Sequence, residues 1–249
     1  MSLSGTGNDL NDLLSAIRRT LGAAYLPPLN TRVARWALYE AYIFCLILEE
    51  AVRRGASPPV FRNGDGSRAT VYRFRTGPGR LSANDPYTYA VLEFGRMSPP
   101  KLPLEVHLGI YVSGSSFERT QSDVCVLFQE EADFFRTQAV RRSQKRPLRW
   151  WPDASKVILT VECKYLQRNL PASTINEAIG RYKDLSATRH VFVTNTRSLA
   201  AGNRVVACFS SDAWQWRVVP SSPEDEARFR SMLNGVFNQY IVEMKHLAT

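Results

Sequence analysis

Glu162-Cys163-Lys164 closes an apolar run, Val157-Ile158-Leu159-Thr160-Val161. Carboxylate oxygens are hard donors suited to divalent cations, and an ammonium beside them stabilises negative charge growing on a reacting anion. Placing both at the end of an apolar strand costs desolvation free energy. Either a chemical role or a structural ion pair answers that cost. A second acid, Asp123, heads another apolar run ending at Phe128. Three further residues compete for a place beside them: Glu40, Glu105 and His107.

The elements that must position these groups follow from periodicity. Val157, Ile158 and Val161 are β-branched, so Val157 to Tyr165 reads as a strand. Alternation puts Thr160, Glu162 and Lys164 on one face, and Leu159, Val161, Cys163 and Tyr165 on the other. Leu104 to Val112 alternates as well, with Glu105, His107, Gly109 and Tyr111 sharing a face opposite Leu104, Val106, Leu108, Ile110 and Val112. Pairing of this strand with the Asp123 strand would bring Glu105 or His107 towards the acids; His107 is a base, a ligand or a hydrogen-bonded structural residue. Thr31 to Arg54 reads as a long helix, with Thr31 as N-cap and Gly55 as stop. Its centre, from Ala37 to Leu48, carries one charge, Glu40, within a buried stripe. An acid there either has a cationic partner or faces an active site.

Downstream, Thr174-x-x-Glu177 is a capping-box pattern opening an amphipathic helix through Leu185, and His190 to Thr194 reads as a buried strand. A strand–helix–strand unit favours a parallel crossover. Leu10, Leu13, Leu14, Ile17 and Leu21 predict a short helix ending near Gly22. Thr70–Arg75, Tyr87–Leu92, Val205–Phe209 and Trp214–Val218 read as further strands. Ser222 as N-cap and Pro223 as first helical residue open a final helix with a stripe from Phe229 to Met244.

An Asp-headed strand, a Glu-x-Lys strand and a following amphipathic helix together resemble the PD-(D/E)xK nuclease superfamily. The resemblance covers residues 104–195 and, loosely, the helix at 31–54. It implies an α/β, restriction-endonuclease-like fold: a mixed β-sheet core flanked by helices, with an extra N-terminal helix and strands. One nuclease-like domain over 1–249 follows, with 1–30 as an extension. The resemblance also implies Mg²⁺-dependent (or Mn²⁺-dependent) hydrolysis of DNA phosphodiesters, of a restriction or defence kind, by a homodimer. Asp123 and Glu162 would hold the metal with the Cys163 carbonyl, and Glu40 or Glu105 would complete the site. Lys164 would orient water and stabilise charge; neighbouring acids should raise its pKa, which disfavours a role as base. Two departures stand out. Ser122, not Pro, precedes Asp123, and the Asp-to-Glu interval is long. The superfamily's Gln-x-x-x-Tyr is met here only by Tyr182, while Arg181 and Lys183 are candidates for phosphate.

The long interval holds Arg136, Arg141, Arg142, Lys145, Arg146 and Arg149 beside Trp150 and Trp151. Arginines neutralise phosphates and aromatic rings stack on bases, so this stretch is a candidate nucleic-acid contact; a solvated loop with its tryptophans packed on the core is the alternative. Arg73, Arg75 and Arg80 are further candidates for phosphate contact. A formal charge of +9 points the same way. The four cysteines are scattered in apolar runs, without metal-site spacing. With no leader-like start and no run long enough for a bilayer, a cytoplasmic protein without membrane contact is expected. Two rivals remain: a non-catalytic nucleic-acid binder on the same fold, and a protein-interaction module.

Overall fold

A computed structural model describes residues 8–22, 35–75, 77–95, 103–116, 118–140, 151–166, 171–185, 189–197, 203 and 213–246. Helix α1 (Asn8–Leu21) lies along α2 (Arg35–Arg53), and Leu13, Ile17 and Leu21 are buried between them and the core. Gly55 follows α2 at φ +99°, a conformation that costs an L side chain strain. Strands β1 (Val60–Asn63), β2 (Thr88–Leu92), β3 (Leu104–Ser113), β4 (Arg119–Phe128), β5 (Val157–Lys164), β6 (Arg189–Thr194) and β7 (Trp214–Gln215) form one sheet in chain order. The first five run antiparallel to their neighbours, and β5–β6–β7 are parallel. Helix α3 (Gln129–Val140) follows β4, α4 (Ala172–Asp184) joins β5 to β6, and α5 (Pro223–His246) ends the described chain. The molecule is therefore mixed α/β, and no described helix is long and apolar enough to cross a membrane.

Three apolar clusters cover the sheet, the smallest formed by Ile175 and Ala178 of α4 with Phe192 and Trp214. One packs α1, α2 and α5 against Val124, Val126, Leu159 and Val161. Cys125, Leu127 and Val157 belong to another, with Phe135 of α3 and Leu185 beyond α4. The continuous apolar face expected of β3 is divided between these two. Leu104, Val106 and Leu108 join the α2 side, whereas Ile110 and Val112 join the α3 side. Gly109, at φ +55°, stands between the two sets and swaps the faces. Leu108↔Val124 and Ile110↔Ser122 remain paired, so Gly109 lies opposite Asp123 at the swap.

Other expectations change for identifiable reasons. Thr70–Arg75 is not a strand: the Arg73 N–H is taken by Thr88 Oγ1 (3.0 Å) and its carbonyl accepts from Thr88 N–H (3.1 Å) without extending into a ladder. Its alternation survives as packing, with Tyr72 buried and Phe74 against the core. The stretch after β4, expected to be loop, begins with α3. Helix α4 starts at Ala172 behind Pro171, with no side-chain cap, so the Thr174–Glu177 box is not formed. Trp214–Val218 contributes only Trp214–Gln215. Thr31 and Val205–Phe209 lie outside the described residues.

Candidate active site

The ladder between β4 and β5 ends at Val124↔Val161 on the side where both acids lie. Beyond it the strands part, and Asp123 bridges the gap with its side chain. The Cys163 N–H donates to Asp123 Oδ2 at 2.7 Å, and Gln121 Nε2 donates to Oδ1 at 2.9 Å. N–H and C=O of one strand residue point to the same side, so the Cys163 carbonyl also faces this gap. A cleft of about 330 Å³ opens here. Glu40 and Trp36 of α2, Arg75 from the segment before β2, Asp123 of β4 and Lys164 of β5 line it.

The cleft sets two carboxylates, Glu40 and Asp123, beside two cations, Lys164 and Arg75. Glu40 has no ion-pair partner among the described residues. Burial, with the Asp123 carboxylate next in effect, pushes its carboxyl up to about 9. Asp123 is raised to about 6 by burial and then by Glu162, against the pull of Lys164. Burial works to lower the Lys164 ammonium, but Glu162 and Asp123 outweigh it and hold the pKa above the ordinary lysine value. The neighbouring acids thus act on Lys164 in the direction read from the sequence.

Glu162 is fully buried and shares its face with Lys164, but it does not line the cleft. Lys164 Nζ lies 2.6 Å from its Oε1, and Arg181 Nη1 of α4 bonds its Oε2. Arg181, expected to face phosphate, is engaged with Glu162 and Glu177; Tyr182 instead packs edge-on to His190. Among the described residues no three His, Cys, Asp or Glu side chains already converge as a metal-binding group.

Glu105 lies apart from the cleft. Its carboxylate takes both terminal nitrogens of Arg136 (2.7 and 2.6 Å) and His107 Nε2 (2.8 Å), all buried. Four residue steps along β3, about 13 Å of strand, separate it from Gly109. Burial tends to raise Glu105, but His107 and Arg136 hold it below the usual carboxylate value. His107 is lowered by burial against the pull of Glu105, and its ring stacks on Tyr89 at 4.9 Å. This cluster is an internal ion pair, and of the two competing acids only Glu40 reaches the cleft.

Arg141, Arg142, Lys145, Arg146, Arg149 and Trp150 lie outside the described residues. Trp151 is half-buried, edge-on to Tyr111 at 4.9 Å, with the Arg80 guanidinium 5.1 Å from its ring centre. Cys45, Cys125 and Cys163 are free and buried. Sequence reasoning missed the link from Glu162 to Arg181, whose only signal was a cation on the helix after the Glu-x-Lys strand. Comparison with family models, with curated proteins and with solved structures gives no match to this chain.

Proposed function

We propose that this protein is a divalent-metal-dependent DNA endonuclease of the restriction-endonuclease-like kind. One observation carries the reading: α2, β4 and β5 deliver Glu40, Asp123 and Lys164 to a common cleft, where burial and neighbouring carboxylates raise both carboxyls. The chain order α2–β1–β2–β3–β4–α3–β5–α4–β6, a helix ahead of antiparallel strands and a helix leading into a parallel strand, supports it. So does the strand gap at Asp123.

The donor set fits Mg²⁺ or Mn²⁺, because it consists of hard oxygens, two of them on carboxyls whose ionisation burial opposes. Asp123, Glu40 and the Cys163 carbonyl would hold the ion, with Glu162 joining once released by Arg181. A bound divalent cation polarises a phosphoryl oxygen and makes coordinated water more acidic. Lys164, held charged, stabilises negative charge on the phosphorus oxygens. The Cys163 N–H and Gln121 fix the direction in which Asp123 presents its oxygens. Supercoiled plasmid incubated with Mg²⁺ tests the reading. Nicking should require the metal and disappear both in EDTA and in Lys164→Ala; nicking indifferent to both controls would exclude it.

A second reading has its own support. Glu162 gripped by two cations is a self-satisfied ion pair, which a non-cleaving nucleic-acid binder would need no metal to complete. Salt-dependent DNA binding without plasmid cleavage in either Mg²⁺ or Mn²⁺ would favour it.

A further inference from the structure

We infer that the Arg75 guanidinium is the anion-holding group of this cleft, and that it takes a phosphate of a nucleotide chain. The choice of nucleotide rests on the nuclease reading; the anion site itself rests on the geometry around Arg75.

Arg75 lines the cleft with Asp123 and Lys164, yet its side chain is only 9% exposed. Its Nε has no hydrogen-bond partner, and Nη2 donates to the Arg80 carbonyl at 2.6 Å. The nearest carboxylate, Asp85, is 3.8 Å away and 43% exposed. Lys164, by contrast, is matched by Glu162 at 2.6 Å. A buried guanidinium with an unsatisfied N–H is costly unless an acceptor arrives, and a phosphate oxygen supplies both acceptor and countercharge.

The surroundings hold the group in place. The guanidinium carbon sits 3.7 Å from the centre of the Tyr87 ring. Gly79 leaves the space it occupies, since a Cβ there would lie 1.8 Å from Nη1. Burial lowers the Arg75 pKa despite Tyr87 and Asp85, as expected of an undercompensated cation. Trp36, 45% exposed, also lines the cleft, and an exposed indole is a residue type on which bases stack.

The test uses thymidine 3′,5′-bisphosphate as the probe, titrated calorimetrically into the full chain with Ca²⁺, alongside Mn²⁺ titrations. Arg75→Gln should weaken bisphosphate binding about tenfold or more, and Arg75→Lys less so. Gly79→Ala keeps the charge but displaces the guanidinium, so it should weaken binding in the same direction. Mn²⁺ affinity should stay within about twofold in all three, since Arg75 contributes no metal ligand. Wild-type bisphosphate affinity in both Arg75→Gln and Gly79→Ala would overturn the inference, as would a wild-type chain that does not bind the probe. The two readings separate cleanly. Plasmid nicking with Arg75-independent binding would remove only the anion site. Arg75-dependent binding in a protein that never cuts would remove only the nuclease.

Discussion

The Cys163 N–H reaches across the open end of β4 and β5 to Asp123, 2.7 Å away. That contact makes the position of a buried carboxylate depend on strand separation rather than on a neighbouring cation. Asp123→Asn retains an oxygen for the Cys163 N–H, and the Gln121 amide can turn to meet the new NH₂. Stability of the chelated protein should therefore change by less than about 1 kcal/mol, while Mg²⁺-dependent nicking falls by about 100-fold or more. Urea denaturation and plasmid assays on the same preparation read both effects.

Glu40 should make the metal-free protein less stable in alkali. Burial, reinforced by Asp123, lifts its carboxyl from 4.5 to about 9. The raised value means that the fold favours the protonated form. Stability is complete below about pH 4.5 and is lost as pH rises through about 9, with a slope of at most roughly 1.4 kcal/mol per pH unit. Asp123, also raised, adds the same sign at its lower end. Urea midpoints in EDTA across that range should fall with pH in the wild type and flatten in Glu40→Gln. Added Mg²⁺ should restore the wild type most at high pH.

A metal ion drawn to Glu162 would have to compete with Arg181. If the nuclease reading holds, Arg181→Gln releases Oε2 and should tighten Mn²⁺ binding by about fivefold, roughly 1 kcal/mol. Electron paramagnetic resonance of free Mn²⁺ measures it directly. Unchanged or weaker binding would show Glu162 to be a structural partner only.

His190 predicts the acid limb. Burial, helped by Arg181, lowers its pKa to about 4, and Thr160 Oγ1 lies 2.8 Å from Nδ1. The unfolded chain takes up the proton first, so stability present above about pH 6.5 is lost as pH falls towards 4. The total is on the order of 3 kcal/mol. His190→Gln keeps a polar partner for Thr160 and should remove this limb from the pH–stability curve.

The Glu105–Arg136 pair is a matter of folding. Arg136→Met leaves a buried carboxylate with His107 alone and should cost about 3–5 kcal/mol in urea denaturation. Mn²⁺ affinity of the folded fraction should be unaltered. A selective loss of Mn²⁺ binding would place Glu105 back in the site.

What could be read beforehand was local. The apolar run on α2 and the stop at Gly55 defined that helix, and alternation along β5 correctly placed Thr160, Glu162 and Lys164 together. Partners distant in sequence were not legible: Glu105 meets Arg136, 31 residues on, and Glu162 meets Arg181, 19 residues on. Helix α3 escaped because its buried residues, Glu131, Ala132, Phe135 and Arg136, include two charged groups and leave too narrow an apolar stripe. Strict alternation also misread β3, since a single left-handed residue resets the count.

That residue has a reach beyond its own turn. Gly109 sits 3.1 Å, measured from where a Cβ would be, from the Gly77 carbonyl, in a backbone shape that side chains resist. It acts as the half-twist in a belt: above it β3 and β4 show the α3 core one set of residues, below it they show the α2 core another. An alanine here would press on the segment carrying Arg75 while straining the strand opposite Asp123. Arg75, whose Cβ would lie 3.6 Å from the new methyl, and Asp123, opposite on β4, would be displaced together by one substitution.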